Sequence, residues 1–229
     1  MHVIVAVVGR TRPPHYVDSA AEPPYLPARS ARRPGRAPAA PVVTPHGEPP
    51  IARQPYGSRR LSYAALLIAA GLTGVYAETI PNFEVLTLVV FCSGVLLGAR
   101  DGALVGGLTM LVYSLLNPYG PAHPLVTAAQ MGGNVVSGLA GAAFARLGLP
   151  ARPVATRIVA LVLFAILITA FYDLLTNVAT GLVFGQMRTW LLAGIPFALW
   201  HIGYNVALFA TLGAPLSAVS ARYAERLSA

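Results

Sequence analysis

The chain has 229 residues, 55% hydrophobic and only 10% charged, with a mean hydropathy of +0.63. A soluble domain carries about 25% charged residues, so this composition excludes an ordinary water-soluble globule and predicts a polytopic all-α membrane protein. The net charge of +8 comes from 16 basic residues, all arginine, against eight acids; much of it gathers in an N-terminal tail, and no nucleic-acid partner is expected.

In chain order, residues 1–58 come first and are rich in Pro, Arg and Ala (RTRPPHY, AEPPYLPARSARRPGRAPAAP, TPHGEPP). Dense proline removes helix donors while the arginines repel one another, so this segment is expected to be a disordered, solvated tail. Contact with anionic lipid is the alternative. The opening MHVIVAVVG is apolar but too short to span. It lacks a basic run ahead of it, so it does not read as a secretory signal.

Apolar segments begin at Leu61, with spans expected at about 61–80, 83–99, 102–117, 125–146, 156–184 and 189–213. The second and third are read as an antiparallel pair separated by a charged two-residue turn, Arg100-Asp101. Glycines recur every fourth residue through that pair, at Gly94, Gly98, Gly102 and Gly106, a spacing that lets helix backbones approach closely in lipid. The one cysteine, Cys92, lies inside an apolar run and reads as a small core residue.

Arginine placement orients the spans. Arg53, Arg59 and Arg60 precede the first, Arg100 lies between the second and third, Arg146, Arg152 and Arg157 between the fourth and fifth, and Arg222 and Arg226 after the sixth. The opposite side has Arg188 alone. Basic loops mark the cytoplasmic side, so the expectation is a bundle of six transmembrane helices over residues 59–215, both termini inside, with 216–229 as a cytoplasmic C-terminal segment.

That topology places the polar residues by depth. Asn82 and Glu84 lie at the first outer turn; Asn117 and His123 lie in the second outer loop. Gln130 and Asn134, Asp173 and Asn177, and His201 and Asn205 form i, i+4 pairs on the fourth, fifth and sixth spans, each pair on one helix face. Polar faces at middle-to-outer depth suggest a watered cavity open to the outside, although inter-helix hydrogen bonding would use the same residues as glue. A buried carboxylate needs a partner, and His201 is the cation candidate for Asp173. Trp190, Tyr172 and Tyr223 read as interfacial aromatics, and Trp200, Tyr204, Tyr113 and Tyr76 as candidates to stack on a flat ligand.

Pro81, Asn82, Thr87 and Leu88, then Gly94, Gly98, Gly102, Ala103 and Gly106, then Gln130 and Met131 form an ordered set. This set resembles the substrate-capture (S) subunits of energy-coupling factor (ECF) transporters, over about residues 61–215. The resemblance implies a subunit that binds a vitamin or related micronutrient at an outward-facing cavity, docks on a membrane coupling subunit, and depends on cytoplasmic ATPases. It would sit in the cell membrane of a prokaryote. On that reading Asn82, Glu84, Tyr113, Asn117, Gln130, Asn134, Asp173, Asn177, His201 and Asn205 line the pocket, and residues 117–124 form its lid. Ala65, Ala69, Ala70 and Gly74 give the small-residue docking face of the first helix. The chain has no phosphate-cradling GxxxxGK[ST], so no cofactor of its own is expected and ATP hydrolysis falls to partners. Amide-rich linings suit heteroaromatic or amide-bearing solutes, and a carboxylate suits a cationic or NH-bearing group.

Two other readings use the same residues. Phe197 with His201, and His201 with Asn205, resemble the F-x-x-x-H and H-x-x-x-N elements of CAAX-type membrane proteases. Here, however, the two elements share one histidine and no E-E-x-x-x-R is present, whereas metal-assisted hydrolysis needs several convergent ligands. The other is a scaffold without a substrate, glued by its polar pairs; it requires those pairs to satisfy one another around no cavity.

Overall fold

The computed structural model describes residues 57–76, 84–117 and 120–228, and every regular element among them is helical. The elements are α1 (Ser58–Tyr76), α2 (Leu86–Leu97), α3 (Ala99–Leu115), α4 (Pro124–Arg146), α5 (Val154–Phe184), α6 (Met187–Leu208) and α7 (Ala214–Ser228). A 3-10 turn, Leu149–Ala151, precedes α5, and a π-helical turn, Phe209–Gly213, joins α6 to α7. The expected disordered tail lies outside the described residues, except that Ser58 already opens α1.

The tightest packing is where side chains are missing. α2 is buried along most of its length and touches α1, α3, α4 and α7. It folds back onto α3 about Gly98, whose φ of 87° favours a residue without a Cβ. Gly94 lies against Gly102, and Val90 against Gly106, positions symmetric about residue 98, so α2 and α3 are antiparallel neighbours. The turn itself differs from the expected one. Arg100 and Asp101 stand in the first turn of α3, where an acid complements the positive end of the helix dipole, and Gly98 alone makes the reversal.

α4 crosses this hairpin. A Cβ on Gly94 would overlap the Gly138 carbonyl, one on Gly138 the Gly102 carbonyl, and one on Gly141 the Phe91 carbonyl. Three backbones therefore meet with no side chain between them, which trades apolar side-chain volume for close van der Waals contact. Beside this crossing Phe91 packs edge-on against Phe144, Phe164 and Phe209, with ring centroids 5.2–5.7 Å apart.

Arg60 ties α1 to the hairpin's reversal. Its guanidinium donates to Asp101 Oδ2 at 2.8 Å and to the carbonyl of Leu97, which ends α2. On the far side α5 and α6 form a second antiparallel pair. Asp173 meets His201 and Leu161 meets Gly213, so Thr169 falls level with Asn205. The chain then continues without a break: Phe209 N–H is shared between the Asn205 and Val206 carbonyls, and α7 follows the π turn back onto α2. Residues 216–229, expected as a separate C-terminal segment, are thus largely a continuation of the sixth helix, with Ser217 buried.

Among the described residues two stretches are long and apolar enough to cross a membrane, Val154–Phe184 and Met187–Leu227, and only 28% of each apolar window is buried inside the molecule. α6 is inverted relative to a soluble protein. Its buried residues are His201 and Asn205, while Leu192, Phe197, Leu199 and Trp200 face outward. Such a helix fits surroundings that are greasier than its own interior.

Candidate functional site

One end of the bundle holds a cavity of about 160 Å³. Its walls come from the end of α1 (Val75), the start of α2 (Glu84, Leu86, Thr87), the end of α3 (Met110, Tyr113), the start of α4 (Gln130, Asn134) and the middles of α5 and α6 (Tyr172, His201). The chain directions explain why these residues meet: α1 and α3 arrive at the level from which α2 and α4 depart.

Glu84 is held by the helix it introduces. Its carboxylate accepts the Thr87 backbone N–H at 3.2 Å and the Thr87 hydroxyl at 2.9 Å, which caps the first turn of α2. Across the cavity His201 is oriented by Asp173, Nδ1 to Oδ1 at 2.9 Å. An ionised carboxylate only accepts, so Nδ1 carries the hydrogen and Nε2 faces the other way. Nε2 stands 3.8 Å from Glu84 Oε1, beyond hydrogen-bond distance. The Tyr172 ring packs edge-on to the imidazole, centroids 5.9 Å apart. Where Tyr172 passes α4 it lies against Gly133.

On the opposite wall Ser114 donates to Gln130 Oε1 at 3.0 Å, and Asn134 Nδ2 donates to the Gln130 carbonyl at 3.2 Å. Asn134 is thereby left with an acceptor. Asn134 Oδ1 and His201 Nε2, both buried, have no hydrogen-bond partner among the described residues; the same holds for Asp173 Oδ2, Thr169 Oγ1 and both amide atoms of Asn205.

Of the residues singled out from the sequence, Glu84, Tyr113, Gln130, Asn134 and His201 are brought together on the cavity wall. Asp173 stands behind His201 and acts on the cavity through it. Three stand elsewhere. Asn117 closes α3 as a turn, its carbonyl accepting from Gly120 N–H. Asn177 packs its amide on Gly194 of α6. Asn205 is fully buried one turn past His201, off the lining. Asn82 lies outside the described residues, as does part of the expected lid at 118–119. On α1 the small-residue face divides: Ala65, Ala69 and Ala70 are exposed, whereas Gly74 packs against Val85.

Tyr172 and Thr87 join the site without having been assigned to it. Tyr172 had been read as an interfacial aromatic. A helix advances about 100° per residue, so turning Asp173 inward turns Tyr172 along the flank of the same cavity. Thr87 follows Glu84 by three residues, the spacing of a cap to the N–H it satisfies. Trp200, a stacking candidate, is 52% exposed, and Tyr76 packs on Tyr113 at 5.6 Å. Among the described residues no group of three or more His, Cys, Asp or Glu side chains is placed to hold a metal ion. Comparison with protein-family models, characterised proteins and solved structures yields no match.

Proposed function

We propose that the chain is a six-helix membrane protein of a prokaryotic cell membrane, both termini cytoplasmic, that captures a small solute from outside. In this reading it serves as the substrate-binding subunit of an ECF-type importer. The solute is a vitamin or similar micronutrient, and release inward is driven by a membrane coupling subunit with its ATPases. The observation that carries the reading is the cavity itself. It is polar, walled by six elements of an otherwise greasy bundle, and lined by buried side-chain atoms that have no hydrogen-bond partner among the described residues. A scaffold glued by polar pairs would satisfy those atoms internally, because an orphaned buried polar group costs about 1–3 kcal/mol. The resemblance of the α2–α4 segment to the S subunits supports the transport role, and the exposed face of Ala65 and Ala69 supports docking through α1.

The test is to purify the full chain in detergent and identify co-purifying solutes by mass spectrometry, then titrate a vitamin panel. Submicromolar binding that Asp173→Ala abolishes is expected. Absence of any such binding, with Asp173→Ala changing only thermal stability, would remove the receptor reading.

A further inference from the structure

The cavity's charge does not balance. Glu84 and Asp173 reach His201 from its two sides, 3.8 Å and 2.9 Å away. The imidazole can offset at most one of the two carboxylates, and among the described residues no other side chain lining the cavity is cationic. Arg60, the guanidinium bonded to a carboxylate of the bundle, is committed to Asp101. An uncompensated negative charge at 8% exposure is costly in a low-dielectric interior unless a cation joins it.

The hydrogen-bond inventory points the same way. Glu84 presents carboxylate oxygens, and Asn134 Oδ1 is unbonded among the described residues while its Nδ2 donates to the Gln130 carbonyl. When the imidazole is neutral, Nε2 adds a lone pair, since Nδ1 carries the hydrogen toward Asp173. When it is protonated Nε2 is a donor instead, so the acceptors that await donors in either state are Asn134 Oδ1 and the spare lone pairs of the Glu84 carboxylate. The volume, about 160 Å³, falls below the roughly 300–1,000 Å³ that holds a drug-sized ligand.

We infer that the ligand of this cavity is a small organic cation, roughly one ring in size, presenting N–H donors (an ammonium, amidinium or protonated N-heterocycle) to Glu84 and Asn134 Oδ1. The inference rests on reading the cavity as a solute site and narrows its substrate class. Tyr172 and Tyr113 supply the aromatic walls that such a cation favours.

Benzamidine, benzamide and benzoate are near-isosteric and differ in charge, so they test the class directly on the purified full chain by thermal shift and calorimetric titration. Benzamidine is expected to bind at least about tenfold more tightly than either of the others. Glu84→Gln, which keeps an oxygen to accept from Thr87, is expected to erase the preference for benzamidine over benzamide. If Glu84→Gln does not fold, Asn134→Leu is expected to weaken benzamidine by several-fold instead. Benzamide or benzoate binding as tightly as benzamidine would overturn the cation assignment and leave a solute receptor standing. A co-purifying solute without a cationic N–H group would do the same. Failure of all three compounds, with no solute co-purifying, would overturn both.

Discussion

His201 is the histidine on which the chain's buried acids converge. Asp173 fixes its tautomer and Glu84 faces its free edge, so the ring is a positioned group rather than a packed one. Removing the positioning partner while keeping the ring isolates this role. Asp173→Ala should strand Nδ1–H in the interior and lower stability by about 1–3 kcal/mol in a detergent melt, whereas Asp173→Asn, which still offers an acceptor, should lose less. Asn205 makes the opposite case. It is fully buried with neither amide atom bonded among the described residues. Asn205→Leu, close in volume, should leave the melting temperature unchanged or raise it, because an unsatisfied amide is removed along with nothing that answered it. A large loss there would show that the amide is used.

At the level of helices, the α2–α3–α4 crossing depends on missing side chains. Gly94→Ala and Gly141→Ala place a methyl into the Gly138 and Phe91 carbonyls, fixed backbone that cannot swing aside. Each should destabilise by about 3 kcal/mol or more, at the upper end of overpacking costs. Gly203→Ala on α6 meets nothing within 4 Å and should be neutral or stabilising by up to about 1 kcal/mol. Thermal unfolding of the three variants side by side checks the contrast. The four-residue glycine period announced close approach in this region, and Gly94, Gly102 and Gly106 do lie on it. Gly98, the fourth member of the same period, instead makes the reversal. A sequence period cannot separate a packing glycine from a turning one, because both need the same absent Cβ and differ only in φ.

At the scale of the whole molecule, the proposed orientation sets the arginine-rich end of the bundle inside and the cavity mouth outside. Cys92 is buried, so a Cys92→Ser background carries no competing thiol. On it, Pro121→Cys in the loop before α4 should react with a membrane-impermeant maleimide on intact cells, and Arg226→Cys on α7 only after lysis. Both positions are exposed in the structure. Labelling of Arg226→Cys in intact cells would reverse the proposed orientation and turn the cavity mouth inward.

What the sequence settled by itself was set by chemistry summed over many residues. A chain that is 55% apolar must bury or lipid-coat that surface, and i, i+4 polar pairs must share a helix face, whatever their neighbours do. The meeting of Glu84 with His201, 117 positions apart in the chain, followed from no local rule. Nor did the exclusion of Asn117, Asn177 and Asn205 from the cavity wall, although Asn177 and Asn205 share helices with Tyr172 and His201, which line it. Those outcomes depend on how α5 and α6 are rotated and on how deeply α2 enters between α1 and α4. The depth of α2 is set by close packing around Gly94, Gly138 and Gly141, and the rotation of α5 and α6 by contacts such as Tyr172 on Gly133 and Asn177 on Gly194.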